Sequence, residues 1–271
     1  MPSTIKRSLA REYQNGNRKT IDQGEIATIS APVIVLGDPG PGKSILTQTL
    51  GELPTMRYVP AGTFARSSDP ASLTAEGQRI VIDGLDEIVS STPGGGIDTI
   101  LTKLSEMNHP PFILSCREMD WRGAADRINI RDDYGTEPVR LHLQPFDHGD
   151  AHKFLARHFP ELDATDVLDR LATRGLDGIY KNPLTLKLLG EVAQSGPDLP
   201  ETRAELLDRA CRVMLSEENP HHAAAPHVRM TTDQLFHGAG VIYATQLLCD
   251  RIGVYDGPNS QTPDGFVTTP T

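Results

Sequence analysis

Val33-Ile34-Val35-Leu36 runs directly into Gly37-Asp38-Pro39-Gly40-Pro41-Gly42-Lys43-Ser44. The first four residues are a short apolar run of strand-forming types. The next eight fit GxxxxGK[ST], a phosphate loop that leaves a strand and opens a helix. Its glycines let successive backbone N–H groups turn inward around phosphate oxygens, and a helix opening at Lys43 adds the positive end of its dipole. Lys43 would reach the β- and γ-phosphates and Ser44 would ligate Mg²⁺. Gly37 through Ile45 is therefore the candidate nucleotide-binding stretch. The competing reading is a Gly-rich turn without a ligand.

Outward from that stretch, five short apolar runs alternate with helical segments: Val33 to Leu36, Met56 to Val59, Ile80 to Ile82, Phe112 to Leu114 and Val139 to Leu143. This alternation predicts an α/β three-layer domain with a five-stranded parallel sheet. Residues 1–30 form a polar, weakly basic N-terminal extension with a turn at Asn15-Gly16-Asn17, and no role is readable there. The phosphate-loop core would span 31–146 and a helical lid 147–218. Within the lid Asp147 is an N-cap, with Asp150 at the third helical position. Ala151, Phe154, Leu155 and Phe159 recur at helical spacing as one buried face. Asn182-Pro183 writes a second helix start, with Leu184, Leu188 and Val192 behind it, and Thr202 with Glu205 a third. Residues 219–271 read as a linker (Asn219 to Met230), one more helix (Gln234 to Leu248) and a loose tail beyond Gly253.

Composition narrows the function classes. With 26 Lys and Arg against 36 Asp and Glu, the 271-residue chain carries a net charge of −10. That disfavours unspecific nucleic-acid or membrane binding, both of which need a basic surface. Cys116, Cys211 and Cys249 lie far apart without CxxC spacing, so neither a disulfide framework nor a zinc site is indicated. His221, His222 and His227 lack partnering Cys or acid clusters, and they are not read as a metal site. No apolar run reaches membrane-span length, and Met1 to Ala10 lacks the apolar stretch of a secretory signal, so a cytoplasmic location is expected. Trp121 and Tyr134 read as packing aromatics. No Asn-Lys-x-Asp stretch of the kind that reads guanine is present, which favours adenine.

Arg79-Ile80-Val81-Ile82-Asp83-Gly84-Leu85-Asp86-Glu87 is an apolar strand that ends in three acidic residues. Asp83 at the strand's end would sit beside Ser44 and hold Mg²⁺ directly or through water. Asp86 or Glu87 would polarise the water that attacks the γ-phosphate. Taken without the phosphate loop, the same cluster also fits an acidic turn capping the next helix.

Ile80 to Glu87 resembles the signature of the NACHT family of signal-transduction NTPases, the STAND class. In that family a small residue follows the metal-binding aspartate and an acidic pair comes two positions later. Ordinary AAA+ proteins place glutamate directly after the aspartate, and Gly84 departs from that. Phe112-Ile113-Leu114-Ser115-Cys116-Arg117 resembles the family's strand ending in Thr/Ser-x-Arg, which implies that Arg117 senses the γ-phosphate. An arginine fork can count phosphates through charge-assisted bonds that ADP lacks, although a solvated surface arginine is the other reading. Leu143-Gln144-Pro145-Phe146-Asp147 resembles the exit from the last strand. Tyr180-Lys181-Asn182-Pro183-Leu184 resembles the motif whose proline packs on adenine, Pro183 here; by itself Pro183 is equally a helix starter. Leu199-Pro200-Glu201-Thr202, followed by Leu206-Leu207, also resembles the family. The resemblance spans about residues 31–216, with Cys116 and Glu118 as departures.

Members normally continue through a winged helix and a long sensor region; the resemblance implies that residues 219–271 hold the start of a winged-helix-like region, so the chain is expected to be a fragment, a minimal subunit or a truncated product. His237 is the nearest candidate for the histidine with which the family's winged helix contacts the β-phosphate. The resemblance implies strand order 5-1-4-3-2 and an ATP/ADP switch with slow Mg²⁺-dependent hydrolysis. In that scheme ADP holds the lid closed, ATP favours an open, self-associating form, and the setting is defence or signalling. Two alternatives stand beside it: an AAA+ ATPase that remodels or loads macromolecules, and a non-catalytic nucleotide-binding scaffold.

Overall fold

The computed structural model describes residues 5–85, 88, 96–195, 200–216, 231–248, 253–255 and 266–268. The chain divides into two compact units, 1–187 and 188–271.

The first unit is built on one seven-stranded mixed sheet, ordered β2-β1-β7-β3-β6-β5-β4. Its strands are β1 (Ser8–Glu12), β2 (Arg18–Asp22), β3 (Val33–Leu36), β4 (Met56–Pro60), β5 (Arg79–Asp83), β6 (Phe112–Cys116) and β7 (Val139–Leu143). Around them run α1 (Lys43–Gly51), α2 (Ala61–Arg66), α3 (Gly96–Glu106), α4 (Ala124–Tyr134), α5 (His148–His158), α6 (Ala164–Thr173) and the start of α7 (Pro183–Ser195). The five apolar runs supply the parallel strands β3 to β7, which stand 5-1-4-3-2 when numbered among themselves.

Period-two alternation divides the core into two layers. Ile34, Leu36, Ile80, Ile82, Phe112 and Leu114 share one cluster with Phe64, Ile100, Leu104 and Ile130 from α2, α3 and α4. Val33, Val35, Val81 and Ile113 point to the other face, with Leu46 and Leu50 of α1. Both faces are covered, which is why these strands read as continuous apolar runs.

The expectation of an all-parallel, five-stranded sheet is corrected. Residues 8–22 form a hairpin turning at Gly16 (φ 80°), and β1 pairs antiparallel with β7, Leu9 opposite Leu143. Leu9, Ala10 and Ile21 of this hairpin are buried, so β1 and β2 form part of the first unit's sheet. The signal was weak because β2 carries only Ile21 as a buried side chain, between charged neighbours that suit an edge strand.

Arg79 fixes the lower end of the sheet to the segment before β3. It is 6% exposed and donates to the carbonyls of Ile29, Ala31 (2.7 Å) and Phe112 (3.0 Å). Burial pulls its pKa down to about 10. Trp121 and Tyr134 pack against the core, Tyr134 edge-on to Phe112 at 5.3 Å.

The start signals seen in the sequence have the expected local geometry. Asp147 caps α5 by accepting from Asp150 N at 2.7 Å. In the second unit α8 (Arg203–Ser216) starts after Thr202, which accepts from Glu205 N at 3.1 Å. Glu205 also accepts from Glu201 N at 2.8 Å.

The boundary expected at residue 147 falls inside the first unit, since α5 and α6 belong to it. In the second unit α9 (Thr232–Leu248) carries His237. Where a loose tail was expected beyond Gly253, β8 (Gly253–Tyr255) and β9 (Phe266–Thr268) pair in parallel. The segment Asn219 to Met230, including His221, His222 and His227, lies outside the described residues.

Candidate nucleotide site

The phosphate loop leaves β3 and ends where α1 begins. Gly40 (φ 84°) and Gly42 (φ 95°) take left-handed backbone that side chains rarely adopt, which is why the loop needs glycine there. Gly42 is the N-cap of α1 and makes no side-chain cap, leaving the N–H groups of the first turn for a ligand. Lys43 is buried, and its Nζ donates to the carbonyls of Gly37 (2.6 Å) and Asp38 (2.9 Å), which holds the amine over the loop. Gly37 N donates to Cys116 O at 3.3 Å, tying the start of the loop to β6.

Beside the loop, β5 ends in Asp83, 6% exposed. Ser115 on β6, fully buried, donates from Oγ to Asp83 Oδ1 at 2.6 Å and accepts from Gly84 N at 2.9 Å. Tyr58 OH stands 3.4 Å from Asp83 Oδ2. The carboxylate is thus held by its neighbours at the strand's end.

These pieces line one cavity of about 660 Å³, within the size range of small-molecule sites. Pro39 to Ile45, Asp83, Ser115, Arg117, Pro183 and Leu184 all contribute to its wall. Gly37 and Asp38 stand behind the loop as acceptors for Lys43. Asp86 and Glu87, expected to polarise the attacking water, lie outside the described residues.

Ile5, Arg7, Phe146, Phe154, His158 and Lys187, none of them a site candidate by sequence, line the same cavity. Helical spacing predicts Phe154 on the buried face of α5. Ala151, Leu155 and Phe159 are buried as expected, but Phe154 is only half-buried and turns to the cavity, 5.8 Å from the Phe146 ring and 4.4 Å from His158. Arg7 lies 4.3 Å over the Phe146 ring and donates to Gln144 O at 2.5 Å. Burial, opposed by Asp150, brings the Arg7 pKa down to about 10. Desolvation, then the charges of Arg157 and Lys187, lower the pKa of His158. Nothing in the local sequence marks these residues, because β1, β7, α5 and α7 bring them together only in the folded chain.

Charge is the other property of the cavity. Among its described lining residues Arg7, Lys43, Arg117, Arg157 and Lys187 face one carboxylate, Asp83, in a chain whose net charge is −10. A basic hollow in an acidic protein favours a polyanion locally. Two aromatic rings, an oxygen-donor pair and a phosphate loop in the same wall suit a nucleotide with its metal. Ser44 and Asp83 supply hard oxygen donors of the kind Mg²⁺ takes. Among the described residues no group of three or more His, Cys, Asp or Glu could hold a metal by itself.

No family model matches the sequence, and no curated protein matches it. Solved structures do resemble the chain at low identity. A replication initiator DnaA bound to AMPPCP and single-stranded DNA aligns with TM-score 0.45 and 14% identity, over 85% of this chain and 77% of that one. AMPPCP-bound DnaA from Aquifex aeolicus gives 0.42 and 13%, over 85% and 78%. The Hsp104–ADP complex of S. cerevisiae gives 0.43 and 11%, over 84% and 38%. At these values none of them assigns a family.

Proposed function

We propose that the chain binds ATP and ADP with Mg²⁺ and acts as a nucleotide-dependent switch of the NACHT type. The observation that carries this reading is the cavity itself, where phosphate loop, acidic strand end, Arg117 and Pro183 meet although they are far apart in sequence. Lys43 and the amides opening α1 would bind the phosphates. Ser44 and Asp83 would hold Mg²⁺, which when bound neutralises phosphate charge and orients the γ-phosphate. Arg117 would distinguish ATP from ADP, and Phe146, Phe154 and Pro183 would flank the base. Asp86 or Glu87 is proposed, from the sequence motif, to orient the attacking water.

In this reading hydrolysis is slow and resets the switch, ATP favours self-association, and the cellular role is signalling or defence. The test is Lys43→Ala, followed by titration with a fluorescent ATP analogue. Loss of charge-assisted phosphate contacts should weaken binding by about 10–100-fold. Unchanged affinity would refute the assignment of the loop. Fast hydrolysis by the isolated protein, without a partner or assembly, would replace the switch by a remodelling ATPase.

A further inference from the structure

The side chain of Asn182 makes contacts on two sides. Its Oδ1 accepts from Leu184 N (2.9 Å) and Thr185 N (3.4 Å), capping α7. Its Nδ2 donates to Pro39 O at 3.1 Å, inside the phosphate loop. Leu184 N also donates to Gly40 O at 3.3 Å, so two successive loop carbonyls are tied to the start of α7. The fit has no clearance. A Cβ placed on Gly40 would stand 2.8 Å from Asn182 Oδ1 and 3.0 Å from Leu184 Cβ.

Capping alone requires only an acceptor, which Ser, Thr or Asp provides as well. Asn is the short cap that also carries N–H donors, and here one of them reaches the loop. In a trans peptide the C=O and the following N–H point in opposite directions. Holding Pro39 O toward Asn182 therefore directs Gly40 N–H away from it, and the loop's amide orientation and the α7 start share one amide group. Pro183, Leu184 and Lys187, on the next turn, line the cavity on the same side.

We propose that Asn182 is a positioning residue that couples the phosphate loop to α7, so that phosphate binding at the loop orders the first turn of the helix. The proposal rests on the phosphate-loop reading given above. Its test uses the full chain with Asn182→Ser, which keeps a capping oxygen and lacks a donor able to reach Pro39, and Asn182→Asp, which keeps shape and cap. Hydrogen–deuterium exchange over residues 184–187 is measured with and without Mg²⁺ and ATPγS, beside fluorescent-nucleotide titration and thermal melting.

In the parent protein nucleotide should slow exchange in that turn. In Asn182→Ser, binding should persist but weaken by about 3–10-fold, as loss of one neutral hydrogen bond implies, with little change in melting. The nucleotide-dependent slowing should disappear. Asn182→Asp should lose it too, and it decides the matter should the serine variant fold poorly. Slowing that survives in the folded variants, or is missing from the parent protein, overturns the coupling. If Lys43→Ala abolishes binding while Asn182→Ser behaves as the parent, the coupling alone falls. If Lys43→Ala binds normally, the loop assignment falls and takes the coupling with it.

Discussion

Ser115→Ala probes how the acidic end of β5 is held. Ser115 is fully buried, and its hydroxyl serves two partners, Asp83 Oδ1 at 2.6 Å and Gly84 N at 2.9 Å. Alanine leaves a carboxylate that is 6% exposed without its best donor, with Tyr58 OH at 3.4 Å as the remaining side-chain donor among the described residues. A hydrogen bond to a charged group contributes about 1.5–3 kcal/mol, and an orphaned buried N–H costs about 1–3 kcal/mol. Gly84 also lines the cavity, where water can take up part of the loss, so about 2–3 kcal/mol is the expected destabilisation.

For a domain of 150–250 residues each kcal/mol moves the midpoint by about 2–4 °C, which gives a drop of about 4–12 °C. Differential scanning fluorimetry or circular dichroism without nucleotide reads it directly. The Mg²⁺ dependence of nucleotide binding should weaken in parallel, because the carboxylate loses its fixed orientation. A midpoint shift below 1 °C would show that the Ser115 hydroxyl does not brace Asp83.

Other perturbations test the scaffold and the cavity wall. Arg79→Leu should cost about 3–5 kcal/mol in urea unfolding, since the carbonyls of Ile29, Ala31 and Phe112 lose a shared buried donor; Arg79→Lys should recover only part, lacking the fork. Gly51→Ala should destabilise by about 1–3 kcal/mol, because its Cβ would stand 2.3 Å from Tyr58 Cβ and 2.9 Å from Tyr58 N, where α1 meets β4. His158 has its pKa lowered below 6.5 in the folded chain, so the unfolded chain binds the proton more readily. Its contribution to stability is therefore complete above pH 6.5 and declines as the pH falls below that value, and His158→Gln should flatten this part of a stability-versus-pH curve.

The sequence made the centre of the first unit legible and its margins obscure. β3, β5 and β6 are buried on both faces, so their apolar runs needed no partner to be recognised. Gly40, Gly42 and Lys43 were recognisable because backbone geometry and charge at a phosphate loop demand those residue types. Asp147 and Asn182 were readable as caps for the same local reason. β1 and β2 escaped because an edge hairpin with few buried side chains has little apolar periodicity. The roles of Arg7 and Phe154 escaped because each follows from a neighbour distant in sequence: Phe146 for the arginine, and the cavity wall for the phenylalanine. The second bond of Asn182 escaped likewise, since Pro39 is 143 positions away.

The pairing of Leu9 with Leu143 has a kinetic consequence. During synthesis the opening hairpin emerges early and has no strand to dock on until β7 has been made. Closing so long a loop is entropically slow, and contacts of this separation characteristically form late. Ile5 and Arg7 reach the cavity wall beside that seam, so completion of the hollow is expected to wait on a contact of high sequence separation.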